Sequence, residues 1–546
     1  MTNGPRTLRR RRAAGPGRRR WVLLGVLAAL VGMMPTWSAP VVGAATSSTT
    51  AGDTAWTGYH HDPAGSGVAA PVGSVDTATP AWTSPGLDGQ VYGEPLVSGG
   101  QVFVATENDT VYALSSSTGA RMWSTHVGTP VPSGSLPCGD ISPVVGITGT
   151  PVVDPARSEI FVVADTLANG HPAHLLIGLD TSTGHTLLSQ NVDPGGSTPA
   201  ALLQRTGLTL NANQVVFGFG GNYGDCSTYR GWLVGVNEAG GTPADFAVDS
   251  GPGESQGAIW MGGAAPEVDS GGNLWVGVGN GSVTSSSDPY DDSDSVLELS
   301  SSLQLLQYFA PTSWASDNAH DFDLSMAPAL LADGQVVASG KSAHAYLLNA
   351  SHLGGIGGQE ASLASVCNDD VDGGAAVTGS TVFIPCLSGI VALQVSASPA
   401  RLQVLWTSEV GGGPPIIAAG LVWTIGQDGM LSGLNPATGA VQQQVAIGNP
   451  VNHFPTPSVG DGVLLAAAGT HVVAFTASPS TGSPTTTSST GTPSTKTVPG
   501  SPPAPAATRA GGGIPTLGIV AIVVGGAVVV GAVGWLLRRR RSHPPS

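Results

Sequence analysis

The stretch VYALSSSTGARMW, residues 111–123, decides the fold. Val111, Ala113 and Trp123 suit a pleated, half-buried surface. Between them Ser116-Ser117-Thr118-Gly119 supplies a turn, with Gly119 free to take a positive φ. The stretch reads as a hairpin, and one hairpin buries too little to hold together in water. A stable protein therefore needs the unit to recur, and it does.

LLIGLDTSTGHTLL (175–188) and MLSGLNPATGAVQQQV (430–445) repeat the pattern closely, with Thr-Gly at the same place. Looser copies are WLVGVNEAGG (232–241), VLELSSSLQLLQYF (296–309), AYLLNASHLGG (345–355), IVALQVSASPARLQVLW (390–406) and HVVAFTASP (471–479). Their central apolar residues are Leu114, Leu179, Val236, Leu299, Leu348, Leu393, Leu434 and Phe475, spaced 41 to 65 residues apart. Two further short strands precede each copy, so the unit has four strands. Four strands per repeat of this length is the signature of a β-propeller. Two tandem β-sandwiches fit the repeat poorly.

The eighth unit, PTPSVGDGVLLAAAGTHVVAF (455–475), stops after three strands. Upstream of the first blade, PAWTSPG (80–86) matches the fourth-strand segment RMWSTHVG (121–128), with Trp82 in the place of Trp123. The expected fold is all-β: an eight-bladed propeller over 80–477, its last blade completed by an N-terminal strand. Residues 46–79 form an extension ahead of it. Such closure removes free sheet edges.

The ends of the chain are set apart from the fold. Arg6, Arg9–Arg12 and Arg18–Arg20 precede an apolar run, Trp21–Met34, and small residues at 42–45. That order describes a signal peptide over 1–45; an uncleaved anchor and a twin-arginine export route are the other readings. Residues 478–513, mostly Ser, Thr, Pro, Gly and Ala, read as a disordered stalk. Leu517–Leu537 carries no charge and is followed by Arg538–Arg541. The expectation is a transmembrane helix at 514–537 with a basic cytoplasmic tail at 538–546 and the bulk of the chain outside.

All 36 acidic residues lie between 46 and 510, with only eight basic ones, a net charge near −28. A body so acidic repels phosphate backbones, so no nucleic-acid partner is expected. Cations remain possible ligands. The four cysteines lie in the exported region, where disulfides are favoured. Of three possible pairings, Cys138–Cys226 and Cys367–Cys386 is preferred.

The blade pattern resembles the repeats of the pyrroloquinoline-quinone (PQQ) propeller superfamily, which includes quinoprotein alcohol dehydrogenases and an outer-membrane assembly lipoprotein. The resemblance spans roughly residues 52–477. YHHDPAGSG (59–67) and CGDISPVVGITGTPVVD (138–154) are similar to secreted actinobacterial members described as PQQ-binding-like. In the dehydrogenases the resemblance implies PQQ on the axis beside Ca²⁺, held by a carboxylate and an Asn, with a catalytic Asp and a basic quinone contact. Asn280 in GVGNG falls at the metal-binding Asn, and Asn222 or Asp225 would replace the usual metal-binding Glu. Asp288 and Asp291 fall near the catalytic Asp, and Lys341 at the quinone contact. The adjacent-cysteine pair and a Cys-x-x-Cys-His haem motif are absent.

Plainer readings stand beside these. Asn280 between glycines suits a turn; SDPYDDSDS (287–295) suits a solvated loop or a surface Ca²⁺ site. Two functions follow. The first is a membrane-anchored binding or scaffold propeller for envelope proteins or polysaccharide. The second is a Ca²⁺/PQQ-dependent dehydrogenase of extracellular alcohols or sugars.

Overall fold

The computed structural model describes residues 55–69, 71–448 and 453–479. The expected signal peptide, the transmembrane helix, the basic tail and all but the first two residues of the stalk lie outside them. Among the described residues no helix is long and apolar enough to cross a membrane.

Eight sheets of four or five strands follow one another along the chain, antiparallel apart from the pairing of Leu305–Ala310 with Gly355–Ile356. Blade 1 comprises Leu96–Ser98, Gln101–Thr106, Thr110–Ser115 and Arg121–His126. Blades 2 to 7 occupy 152–191, 202–247, 267–310, 329–363, 376–408 and 416–446. The eight central apolar residues of the repeat all fall on third strands, and all are fully buried. Fourth strands are exposed on alternate residues, as in RMWSTH and VQQQVA. First strands therefore line the axis and fourth strands the rim.

Blade 8 closes the ring. Ser458–Gly460, Val463–Ala468 and His471–Pro479 come from the end of the domain, and the fourth strand comes from its start. Trp82–Thr83 pairs with Ala474 and Val473, and Val72–Asp76 continues that edge opposite Thr476–Pro479. Val72–Asp76 had been expected to lie in an extension ahead of the propeller; it is part of the last blade.

The Thr-Gly…Trp pattern has a packing cause. Trp82 Nε1 donates to Ser116 O (2.8 Å), Trp123 Nε1 to Thr181 O (2.9 Å) and Trp406 Nε1 to Pro436 O (2.9 Å). Each bond runs from a fourth strand to the turn of the next blade. Beneath each ring lies a turn glycine, Gly119, Gly184 or Gly439, where a Cβ would come within about 2.5 Å of the indole. These glycines also hold φ of 68° to 70°, so both their smallness and their freedom are used. Where the tryptophan is missing, Gln307 substitutes hydrogen bonds: Nε2 to Ala350 O (2.7 Å) and Oε1 from Leu353 N–H (2.8 Å).

Residues 56–69 form a strap across the first strands. Trp56 exchanges backbone bonds with Val97 of blade 1, and Thr57 O accepts from Val153 of blade 2. Pro63 O accepts from Val268 of blade 4, Ser66 O from Val377 of blade 6, and Gly67 O from Ile417 of blade 7. Glu94 pins the strap, its carboxyl accepting from Trp56 Nε1 and from the His60 N–H, both at 2.9 Å. Tyr59 Oη accepts from Gly374 N–H at 3.0 Å. The strap thus fills one end of the axial space, which leaves the other end as the usable mouth.

Both preferred disulfides are present, Cys138–Cys226 and Cys367–Cys386, with Cα–Cα distances of 6.0 and 5.8 Å. The first ties the blade 1–2 connection to a loop of blade 3. The second ties the blade 5–6 connection to the second strand of blade 6.

Candidate functional site

At the mouth away from the strap, loops from five blades bring two cations and three aromatic rings together. Arg205, on the loop that feeds the first strand of blade 3, is buried. Its Cζ lies 6.0 Å from the Tyr92 ring and 5.7 Å from the Phe454 ring, and Nη2 donates to His453 O at 3.1 Å. Phe454 packs on Trp260 with ring centroids 5.8 Å apart. On the far side of Trp260 stands Lys341, its Nζ 5.5 Å from the indole. Cation–aromatic contacts of this kind gain strength as water is excluded.

Lys341 is held by two carboxylates, Asp323 at 2.5 Å and Asp321 at 3.1 Å. Burial opposes its charge, but these two partners outweigh burial and hold its pKa above the ordinary lysine value. Asn280 joins the group: its N–H donates to Asp323 (2.6 Å) and its Nδ2 to Asp321 (2.8 Å). Its Oδ1 is buried without a partner. The positions of the two aspartates are set locally. Helix Trp314–His320 ends on Asp321, which takes a left-handed φ of 62°, and the next residues carry Asp323 back toward blade 5.

Of the residues expected from the sequence, Lys341 and Asn280 meet here, linked through Asp321 and Asp323. Asp225 lies within reach of their charges; burial first, then Asp323 and Asp321, raise its carboxyl pKa. Asn222 turns elsewhere, donating to Ala200 O at 2.9 Å. Asp288 is exposed in a turn closed by its own N–H to Ser285 O. Asp291 is buried and accepts from Ser293 Oγ (2.5 Å) and Val283 N–H (3.2 Å), which fixes its loop. Asp321 and Asp323, the partners of Lys341, were not among the residues expected at the site. Arg205, Trp260 and Phe454 were not singled out. The signal available for Arg205 was the scarcity of cations between residues 46 and 510.

A calcium–quinone pair needs several oxygen ligands for the ion and a free base for the quinone. The described residues do not present that set ready-made. Lys341 is already paired twice, and no group of three His, Cys, Asp or Glu side chains stands close enough to hold a metal ion among them. What the mouth offers is two cations and two carboxylates set among three aromatic rings.

Comparison with known proteins agrees with the architecture. Residues 72–245 match the family described as outer membrane protein assembly factor BamB. No curated protein sequence matches the chain. Among solved structures, the quinohemoprotein alcohol dehydrogenase of Pseudomonas putida HK5 superposes with a TM-score of 0.59 at 14% identity, covering 78% of this chain and 80% of that one. The corresponding enzyme of Comamonas testosteroni gives 0.55 at 16% identity with the same coverage. A europium-containing methanol dehydrogenase gives 0.55 at 14%, covering 76% and 90%. At these identities the likeness is one of fold, and function has to be argued from the site. The chain is an eight-bladed β-propeller, similar in fold to these quinoprotein dehydrogenases.

Proposed function

We propose that this protein is a cell-surface propeller, exported by its N-terminal signal and anchored by the C-terminal segment 514–537, that serves as a binding or scaffold module in the envelope. Envelope proteins or polysaccharide are its partners. The observation that carries the reading is the Asp321–Lys341–Asp323 lock, which spends on structure the one of the two mouth cations expected to contact a quinone. The strap supports it by filling the opposite end of the axis. A stalk of about 36 residues would hold the mouth away from the membrane.

A second reading, a Ca²⁺/PQQ-dependent dehydrogenase of extracellular alcohols or sugars, rests on the Asn280 Oδ1 atom, buried without a partner beside Asp321 and Asp323.

Protease shaving of intact cells tests the placement. Brief digestion is expected to cut within 478–513 and release a folded head, while a tag placed after Ser546 stays protected. A head that survives unless cells are opened, or a tag digested from outside, would contradict the anchored topology.

A further inference from the structure

The strap bonds to blades 1, 2, 4, 6 and 7. Between Thr57 and Pro63 it passes over the first strand of blade 3 without a backbone bond to it among the described residues, and a cleft of about 90 Å³ lies beneath that span. Its walls are apolar: Val152 of blade 2, Leu208 and Leu210 of blade 3, Ala265 and Pro266 of blade 4. Of the two carboxyl groups on the lining, one is buried. Glu267, on the first strand of blade 4, lines the cleft, is 4% exposed, and has Oε2 buried without a partner. Its carboxyl lies against Gly65, where a Cβ would sit 2.5 Å from Oε1, so the strap takes glycine at that point.

An isolated buried carboxylate is costly, and the described structure supplies Glu267 with no counter-charge. The neighbouring charge makes this worse. Burial and, after it, the charge of Asp62 hold the Glu267 carboxyl well above the usual carboxylate range. Asp62 itself is held below the usual carboxylate range: burial opposes its charge, but the nearby His61 and hydrogen bonds from Ser66 outweigh it. The cleft therefore joins a carboxyl held toward its charged form, a buried carboxyl without a counter-charge, and apolar walls. Ca²⁺ or Mg²⁺ is a poor match, since either wants about six or more oxygens. A cation with a short hydrocarbon tail matches both halves.

We propose that this cleft binds a small organic ammonium ion, its head between Glu267 and Asp62 and its alkyl part against Val152, Leu208 and Leu210. The site lies at the strap end of the axis and is independent of the function proposed for the mouth.

The test is calorimetric titration of the purified full-length protein with propylammonium chloride, and separately with propanol. Saturable one-to-one binding of propylammonium is expected, with none of propanol. Glu267→Gln, which keeps the shape of the neutral carboxyl, is expected to weaken binding by about 100-fold. A second readout does not depend on that variant folding. Burial holds the Glu267 carboxyl pKa up and an incoming cation would lower it, so binding should release a proton, seen as a difference in heat between phosphate and Tris buffers. His61, Asp62 and Tyr59 of the strap are the other titratable groups on the cleft, and blades 2 and 3 add none. Absence of saturable propylammonium binding, equal binding of propanol, undiminished binding by Glu267→Gln, or binding without proton release would each overturn the proposal.

Discussion

Trp82→Ala is expected to destabilise the protein by about 3–5 kcal/mol, the range for removing a large buried aromatic. Trp82 is 7% exposed and belongs to the strand that closes blade 8. Its Nε1–H bond to Ser116 O and its packing on Gly119 join blade 8 to blade 1. The substitution therefore removes core volume and loosens the seam where the two ends of the domain meet. Met122, on the fourth strand of blade 1, is 55% exposed. Met122→Ala is the control, with an expected change within about 0.5 kcal/mol. Urea denaturation of the two variants beside the parent decides it. Equal midpoints for Trp82→Ala and Met122→Ala would show that the seam does not depend on the indole.

The second large effect is expected at His174, fully buried in blade 2. Its Nδ1 lies 2.7 Å from Asp193 and its Nε2 2.8 Å from Asp165. Burial alone lowers the imidazole pKa, but Asp165 and Asp193 outweigh it and hold the ring at about 10. His174→Ala leaves two carboxylates facing a cavity and is expected to cost about 3–5 kcal/mol at neutral pH. The sign of the pH dependence follows from linkage. A histidine pKa raised above its unfolded value of about 6.5 gives stability that is complete below that pH. The contribution is lost as pH rises through about 10.

Two buried acids act in the same direction. Asp109 is raised to about 8 and Asp249 to about 9, both chiefly by burial. Each keeps its proton in the fold after the unfolded chain has lost it, so stability falls as pH rises from about 4 toward those values. Parent stability should therefore decline from pH 6 to 10, and His174→Ala should decline less steeply over the upper part of that range. Parallel profiles would show that His174 is neutral in the fold.

The propeller was legible because its packing is periodic. One apolar residue per third strand, eight times, is a pattern that a sequence displays directly, and all eight residues are fully buried. The match of Trp82 to Trp123 was legible for the same reason, since each ring meets the equivalent turn glycine of the following blade, Gly119 or Gly184. The strap was not. YHHDPAGSG has no period, and its path requires left-handed backbone at His60 and His61, with φ of 54° and 77°. Nothing local announces that.

The mouth was half legible. Lys341 and Asn280 stood out by residue type and setting, and they do meet. Their partners could not be read, because Asp321 and Asp323 acquire meaning only when the blade 4–5 connection folds against blade 5. Arg205, Trp260 and Phe454 come from blades 3, 4 and 8, and ring closure alone makes them neighbours. The acidic loop was legible as acidic only. Asp291 serves the hydrogen bonds of its own turn, which composition does not reveal.

The measurement that bears most directly on the account is titration of the full-length protein with PQQ by calorimetry, first in Ca²⁺ and then in chelator. With Lys341 locked between Asp321 and Asp323, no saturable heat is expected up to high micromolar PQQ in either condition. Tight binding that requires Ca²⁺ and is lost in Asn280→Ala would contradict the scaffold reading and establish a quinone site at the mouth.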